Sequence, residues 1–224
     1  PRYRAPLVLE GGAIHVDGEG SCLTTEQCLL NRNRNPALTR ADIEQQLREY
    51  LGVDSVLWLG QGVYQDETDG HVDNLACFLR PGVVALSWCD DRDDPQHAIS
   101  ADALARLRGF RDARGRRLEV VKIPQPRHMP RMSAAEAAGL TPTAGSHPRP
   151  AGARLAASYV NFLLVNGALI LPAFDDDHDA RADARDAHLA ALVQVVGLEG
   201  VATADQQLGH LAADRIAREV RLHI

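Results

Sequence analysis

The chain has 224 residues, 45% hydrophobic and 24% charged, with a formal net charge of -6, which is ordinary for a soluble globular protein and enough for one sizeable core or two small ones. The acidic balance argues against nucleic acid as a partner, because Arg32, Arg34 and the arginines between 111 and 117 make no basic stripe and read as solvated loops. No run reaches the length of a membrane span and no charged-then-apolar leader is visible, while Pro1 places the expected true start upstream.

Pro6 to Leu9 predicts a short apolar strand that breaks at Gly11-Gly12, resumes through Ile14 to Val16 and turns at Asp17-Gly18, with Leu23 to Thr25 returning. Asn31 to Pro36 is a polar loop. Thr39 with Asp42 is an N-terminal capping signal for a helix that carries Ile43, Leu47 and Leu51 on one stripe and stops at Gly52. Ser55 to Leu59 reads as a buried strand ending in Gly60-Gln61-Gly62. The run Leu75 to Leu79 extends a strand from His71 and forms a hairpin with Val83 to Trp88 across Arg80-Pro81-Gly82.

Asp90 to Pro95 is an acidic loop, Ser100 is placed as the cap of a helix bearing Leu104, Leu107 and Phe110, and Leu118 to Ile123 is a strand. Pro124 to Pro150 holds six prolines and no apolar period, which predicts a long surface loop. Ser158 to Val165 and Ala168 to Leu171 flank the hairpin signal Asn166-Gly167. Asp175-Asp176-Asp177 opens an alanine-rich helix to about Leu192, its acids facing the positive end of the helix dipole rather than a metal. Thr203 and Gln206 cap a last amphipathic helix through Leu208, Ala212, Ile216 and Val220. The grammar of hairpin, helix and strand, repeated about three times, fits an α/β protein of small similar modules. His15-Val16-Asp17 and His71-Val72-Asp73 read as an echo between two of them. Cys22, Cys28, Cys77 and Cys89 fall on no C-x-x-C spacing and are expected as free thiols in a reducing cytoplasm.

The chemistry concentrates in Glu67 to Asn74, where three carboxylates, His71 and Gly70 occupy eight residues. On a strand, His71 and Asp73 would share a face about 6.6 Å apart at roughly 3.3 Å per residue. Together with Glu10 they offer two carboxylates for a planar cation and one histidine for proton transfer. A guanidinium forms paired hydrogen bonds with carboxylates. Hydrolysis at its carbon needs a nucleophile and a proton shuttle for departing ammonia. A satisfied structural histidine is the alternative for His71 taken alone.

The segments Leu9-Glu10-Gly11-Gly12, Ile14 to Gly20, Asn33-Arg34-Asn35-Pro36, Glu67 to Asn74 and Tyr159-Val160-Asn161-Phe162 resemble the agmatine deiminase family, also called the Porphyromonas-type peptidyl-arginine deiminases. The resemblance covers residues 7–177 and implies a pentein fold, a five-bladed α/β propeller of ββαβ modules, here incomplete with about three of five. It implies one partial domain over residues 1–224 with a divergent helical tail at about 198–224. It also implies cofactor-free hydrolysis of agmatine to N-carbamoylputrescine and ammonia, on the way to putrescine. By resemblance His71 is the general acid/base, Asp73 a guanidinium ligand, and Glu10 the acid that holds substrate and orients the histidine.

The family's nucleophilic cysteine ends a Gly-Gly-Gly-Asn-Ile-His-Cys segment that is not found after Val195-Val196-Gly197, and a further family carboxylate would precede Pro1. Cys77 lies about 20 Å from His71 along an extended strand. Cys22 and Cys28 belong to a neighbouring element with no sequence reason to reach the substrate, and Val16 stands in the cysteine's register. The expectation is therefore a chain without a nucleophile, impaired or inactive alone. The alternatives are a non-catalytic module binding guanidines or a partner, and an arginine or peptidyl-arginine deiminase. A metal hydrolase built on His71, Asp73, His15 and Glu10 is disfavoured, because no tight cluster such as H-E-x-x-H is present. Open strand edges predict self-association, possible as a homo-oligomer.

Overall fold

The computed structural model describes residues 4–141, 149–165, 168–170, 172–174 and 176–178. The first module runs β1 (Ile14–Val16), β2 (Ser21–Thr25), α1 (Glu26–Leu29), α2 (Arg40–Leu51) and β3 (Ser55–Leu59). The second runs β4 (Ala76–Arg80), β5 (Val83–Trp88), α3 (Pro95–Gly109) and β6 (Glu119–Pro124). A short helix α4 (Ala134–Gly139) and the hairpin β7 (Leu163–Val165) and β8 (Ala168–Ile170) follow. Each module is a three-stranded sheet in sequence order, its first pair antiparallel and its second parallel, with a helix in the crossover. Two ββαβ modules and a further hairpin thus stand among the described residues.

Alternation along the strands sets the layers. Cys22 and Trp58 face Ile43 and Leu47 of α2, while Leu23, Leu57 and Leu59 face the other way, onto Leu104 and Leu107 of α3. The second sheet repeats this. Phe78, Val84 and Leu86 join α3, and Cys77, Leu79, Val83 and Ala85 pack on Tyr159 and Val160. Helix α3 therefore cements the two modules, and strands covered on both faces read as nearly continuous apolar runs. His15 adds a polar tie: its Nδ1 accepts the backbone N–H of Phe78 at 3.1 Å, joining β1 to β4. Burial pulls the pKa of this imidazole down, so the neutral ring that can accept is the stable one.

Several expectations are corrected. Pro6 to Leu9 is not a strand; Val8 is pinned instead by Asn35, whose Oδ1 accepts its N–H and whose Nδ2 donates to its carbonyl. The Thr39–Asp42 capping box and the left-handed Gly52 (φ 66°) bound α2 as expected, but Leu51 is exposed. Ser100 is not a cap: Asp94 caps α3 with Pro95 at its first position, a stronger start. Ser100 is buried inside the helix and donates to the Ser87 carbonyl at 2.9 Å. The proline-rich stretch contains α4, started by a Ser133–Glu136 capping box. Of Ser158 to Val165 only the last three residues are strand, and Val165 pairs with Ala168. The Asn166-Gly167 turn and the two helices expected after Asp175 lie outside the described residues. The Asp176 carboxylate accepts the backbone N–H groups of Arg127 and His128, both at 2.8 Å.

Candidate functional site

The site is built where two loops of different modules meet. Gly11–Ala13 is a single 3-10 turn entered from Glu10, and the Gly12 carbonyl accepts the N–H groups of Val72 (3.1 Å) and Asp73 (3.3 Å). Residues 72–75 form a turn rather than a strand, since the N–H groups of Leu75 and Ala76 both return to the Val72 carbonyl. His71 and Asp73 are therefore not neighbours on a strand face. They converge over Gly12: a Cβ there would lie 2.4 Å from Asp73 Oδ2 and 2.5 Å from His71 Nδ1. The supposed echo with His15 is no structural equivalence either, for His15 sits within β1 and His71 precedes β4.

Asp66, which sequence reasoning missed, shapes the approach to His71. Its buried carboxylate accepts the Thr68 N–H (3.1 Å), the Thr68 hydroxyl (2.5 Å) and the His71 N–H (3.0 Å). The Asp-x-Thr spacing was the available signal, since such side chains capture backbone two residues on. Gln65 and Asp69 hold positive φ (60° and 57°), a costly conformation for residues with a side chain that the surroundings must over-determine, and Gly70 (φ 89°) takes a turn that glycine tolerates. The surroundings are supplied by the start of α1. Thr25 Oγ1 donates to the Gly70 carbonyl at 2.5 Å and accepts the Cys28 N–H, and Gln27 Oε1 accepts the Gly62 N–H. Only glycine fits at 62, where a Cβ would meet Gly70 Cα at 2.5 Å.

Glu10 is held by Arg34, whose Nε donates to both carboxylate oxygens at 2.7 and 3.0 Å. The same guanidinium donates to the Thr68 carbonyl and to Asn33 Oδ1. Its side chain is 8% exposed, so Arg34 is no solvated loop residue. The lone arginine between two asparagines, in a stretch already matched to a motif, was the signal. Glu10 Oε1 stands 3.9 Å from His71 Nε2. From the third segment, Asn161 Nδ2 donates to Asn74 Oδ1 at 3.0 Å and so braces the far end of the turn.

Cys28 is the second correction. Helix α1 carries its thiol into the site, where one donor atom each of Glu10, Cys28 and His71 lies within 4.8 Å of the others. Burial pushes this thiol up to about 12, against a lesser opposing pull from Arg34. A protonated, fully buried thiol is a poor nucleophile. Burial also raises Cys77 strongly, and all four cysteines are free. Asp73 is raised too, chiefly by burial and against the pull of His71. A cleft of about 580 Å³ shares Asp66 and Asp69 with this loop, but its walls do not include Glu10, His71 or Asp73. The candidate site is marked by its side chains and not by the size of a cavity.

Two buried polar atoms here lack a hydrogen-bond partner among the described residues: His71 Nε2 and Asp73 Oδ1. Leaving such groups unpaired costs roughly 1–3 kcal/mol each, which singles out these two atoms as candidate points of contact for a ligand. Among the described residues, no helix is long and apolar enough to cross a membrane.

The family model for Porphyromonas-type peptidyl-arginine deiminase matches residues 1–211. The agmatine deiminase of Stutzerimonas stutzeri is 57% identical over 183 residues, 81% of this chain and 50% of its own length. That of Medicago truncatula is 54% identical over 179 residues, 79% and 47% of the two chains. The solved agmatine deiminase of Enterococcus faecalis matches with a TM-score of 0.77 at 42% identity, covering 83% of this chain and 50% of that one. The chain spans about half the length of the curated relatives it matches.

Proposed function

The chain belongs to the Porphyromonas-type peptidyl-arginine deiminase family and has its pentein α/β fold, and on that premise we propose that it provides the guanidinium clamp and proton shuttle of an agmatine deiminase. The observation that carries this reading is the pair of orphaned atoms beside Glu10. A guanidinium presents N–H donors along each edge. One edge satisfies Asp73 Oδ1, and the buried carboxylate gains its counter-ion. His71, with Nε2 free, passes a proton to the departing nitrogen and then activates water. The net change is agmatine plus water to N-carbamoylputrescine plus ammonia, a product on the route to putrescine.

Arg34 fixes the place of Glu10, so that this carboxylate orients His71 and faces the substrate without having to reorganise. Attack on the guanidinium carbon calls for a thiolate, which the protonated Cys28 does not supply. The family's cysteine segment is not within these 224 residues, and we assign this chain the clamp and shuttle without the nucleophile. A second reading, a guanidine-binding module without turnover, is favoured by that same protonated thiol. Free thiols support a cytoplasmic setting. Exposed Val16 on β1 and Leu163 on β7 support self-association.

Calorimetry with agmatine and an ammonia-release assay test both readings. Binding that disappears in Asp73→Asn, with ammonia no higher than in a His71→Ala control, is expected. Absence of binding by the unaltered chain would sink the clamp. Turnover above the control would show that a nucleophile is present after all.

A further inference from the structure

We propose that Glu10, Cys28 and His71 together bind one thiophilic divalent cation of the zinc class, and that its occupancy shuts the guanidine site. Their donors, an oxygen, a sulfur and a ring nitrogen, lie within 4.8 Å of one another, with Glu10 Oε1 and His71 Nε2 at 3.9 Å. Around tetrahedral zinc, with ligand bonds of roughly 2.0–2.3 Å, donors stand about 3.4–3.6 Å apart. Side-chain rotations of about an ångström would close the set. A mixed oxygen, nitrogen and sulfur set suits zinc or cobalt and not magnesium or calcium, which take oxygen. Three protein donors leave a fourth position for water, on the side where the half-exposed Glu10 meets solvent.

The surroundings favour a cation. His71 Nε2 is buried and has no hydrogen-bond partner among the described residues, so it is available as a ligand. Its Nδ1 and Asp73 Oδ2 crowd the same Gly12 face, which puts a carboxylate on the side of the ring's other nitrogen, where metal-binding histidines commonly have one. Arg34 braces Glu10 from behind and leaves further lone pairs on its oxygens. On binding, the S–H bond of Cys28 breaks, a sulfur–metal bond forms and the proton leaves to solvent; nothing is oxidised or reduced. The metal then occupies the lone pair that His71 needs for proton transfer. This inhibitory consequence rests on the guanidine reading, whereas the binding itself does not.

Cobalt(II) titration of the chain is the test, since a cobalt–thiolate bond has its own charge-transfer band. We expect that band, with the visible bands of a four-coordinate ion, in the unaltered chain and in Cys89→Ser, and its loss in Cys28→Ser and in His71→Ala. Circular dichroism checks that each variant is folded. No band in the unaltered chain, or an undiminished band in folded Cys28→Ser, overturns the site. Zinc should weaken agmatine binding by about tenfold or more, equivalent to about 1.4 kcal/mol, and a chelator should restore it. Equal agmatine affinity with and without bound zinc overturns the inhibitory role. If the metal-free chain fails to bind agmatine at all, the guanidine reading falls, and the cobalt spectrum still decides the cation site.

Discussion

Arg34 Nε donates to both oxygens of Glu10, so the site contains one guanidinium of its own before any substrate arrives. Its other nitrogens reach Thr68 and Asn33, which ties the loop after α1 to the loop before His71. Replacing Arg34 by Ala should cost about 1.5–3 kcal/mol of stability, the range for hydrogen bonds to charged groups, and lower agmatine affinity about tenfold. Lys keeps the charge but not the fork of donors, so Arg34→Lys should recover less than half of either loss. Denaturant titration and calorimetry measure the two effects.

Gly11 and Gly12 should respond oppositely to the same added methyl. At Gly12 a Cβ would collide with Asp73 and His71, whereas at Gly11 nothing lies within 4 Å. Gly12→Ala should cost about 1–3 kcal/mol through overpacking and abolish agmatine binding by pushing the two side chains apart. Gly11→Ala should stay within about 0.5 kcal/mol of the unaltered chain and bind normally. Equal binding by both variants would remove Gly12 from the account.

Asp73 gives a pH dependence of definite sign. Its pKa is raised, first by burial, so the half-buried carboxylate disfavours the folded state at neutral pH. That cost is relieved as pH falls through the raised pKa. Guanidinium binding runs the other way, because it needs the charged form. Agmatine affinity should fall on acidification at a pH above the ordinary 3.8 for Asp, and in Asp73→Asn it should be weak with this titration gone. Calorimetry across a pH series reads both.

Thr25 works at two places with one hydroxyl, accepting from the Cys28 N–H and donating to the Gly70 carbonyl. Thr25→Val keeps the shape and strands both partners, which should cost about 1–3 kcal/mol. An unchanged denaturant m-value would show that the loss is local stability and not a change in compactness. The loop from Gln65 to Gly70, with positive φ at Gln65 and Asp69, should become the first region to exchange its amide hydrogens.

What could be read from the sequence divides along a physical line. The strands within the two sheets and the capping box of α2 were legible because local chemistry carries them, and Glu10, His71 and Asp73 drew attention because they lie in contiguous motifs. The burial of Arg34 and Cys28 was not legible, because it comes from the docking of α1 and its following loop against residues 62–70. Spacing along the chain says nothing about such an approach. The turn at 72–75 was misread for a related reason: an apolar run shows where a strand can form, while the Gly12 carbonyl decides where it begins.

That carbonyl also fixes a timing. It belongs to the first module, and the N–H groups it receives belong to the turn that opens the second. As the polypeptide emerges from its N-terminus, Glu10 and Gly12 are made before the residues 71–73 that converge on them. The site comes into being only when β4 docks and His15 captures Phe78. Protection of the Val72 and Phe78 amides is thus a clock for the birth of the site, separate from the folding of either sheet.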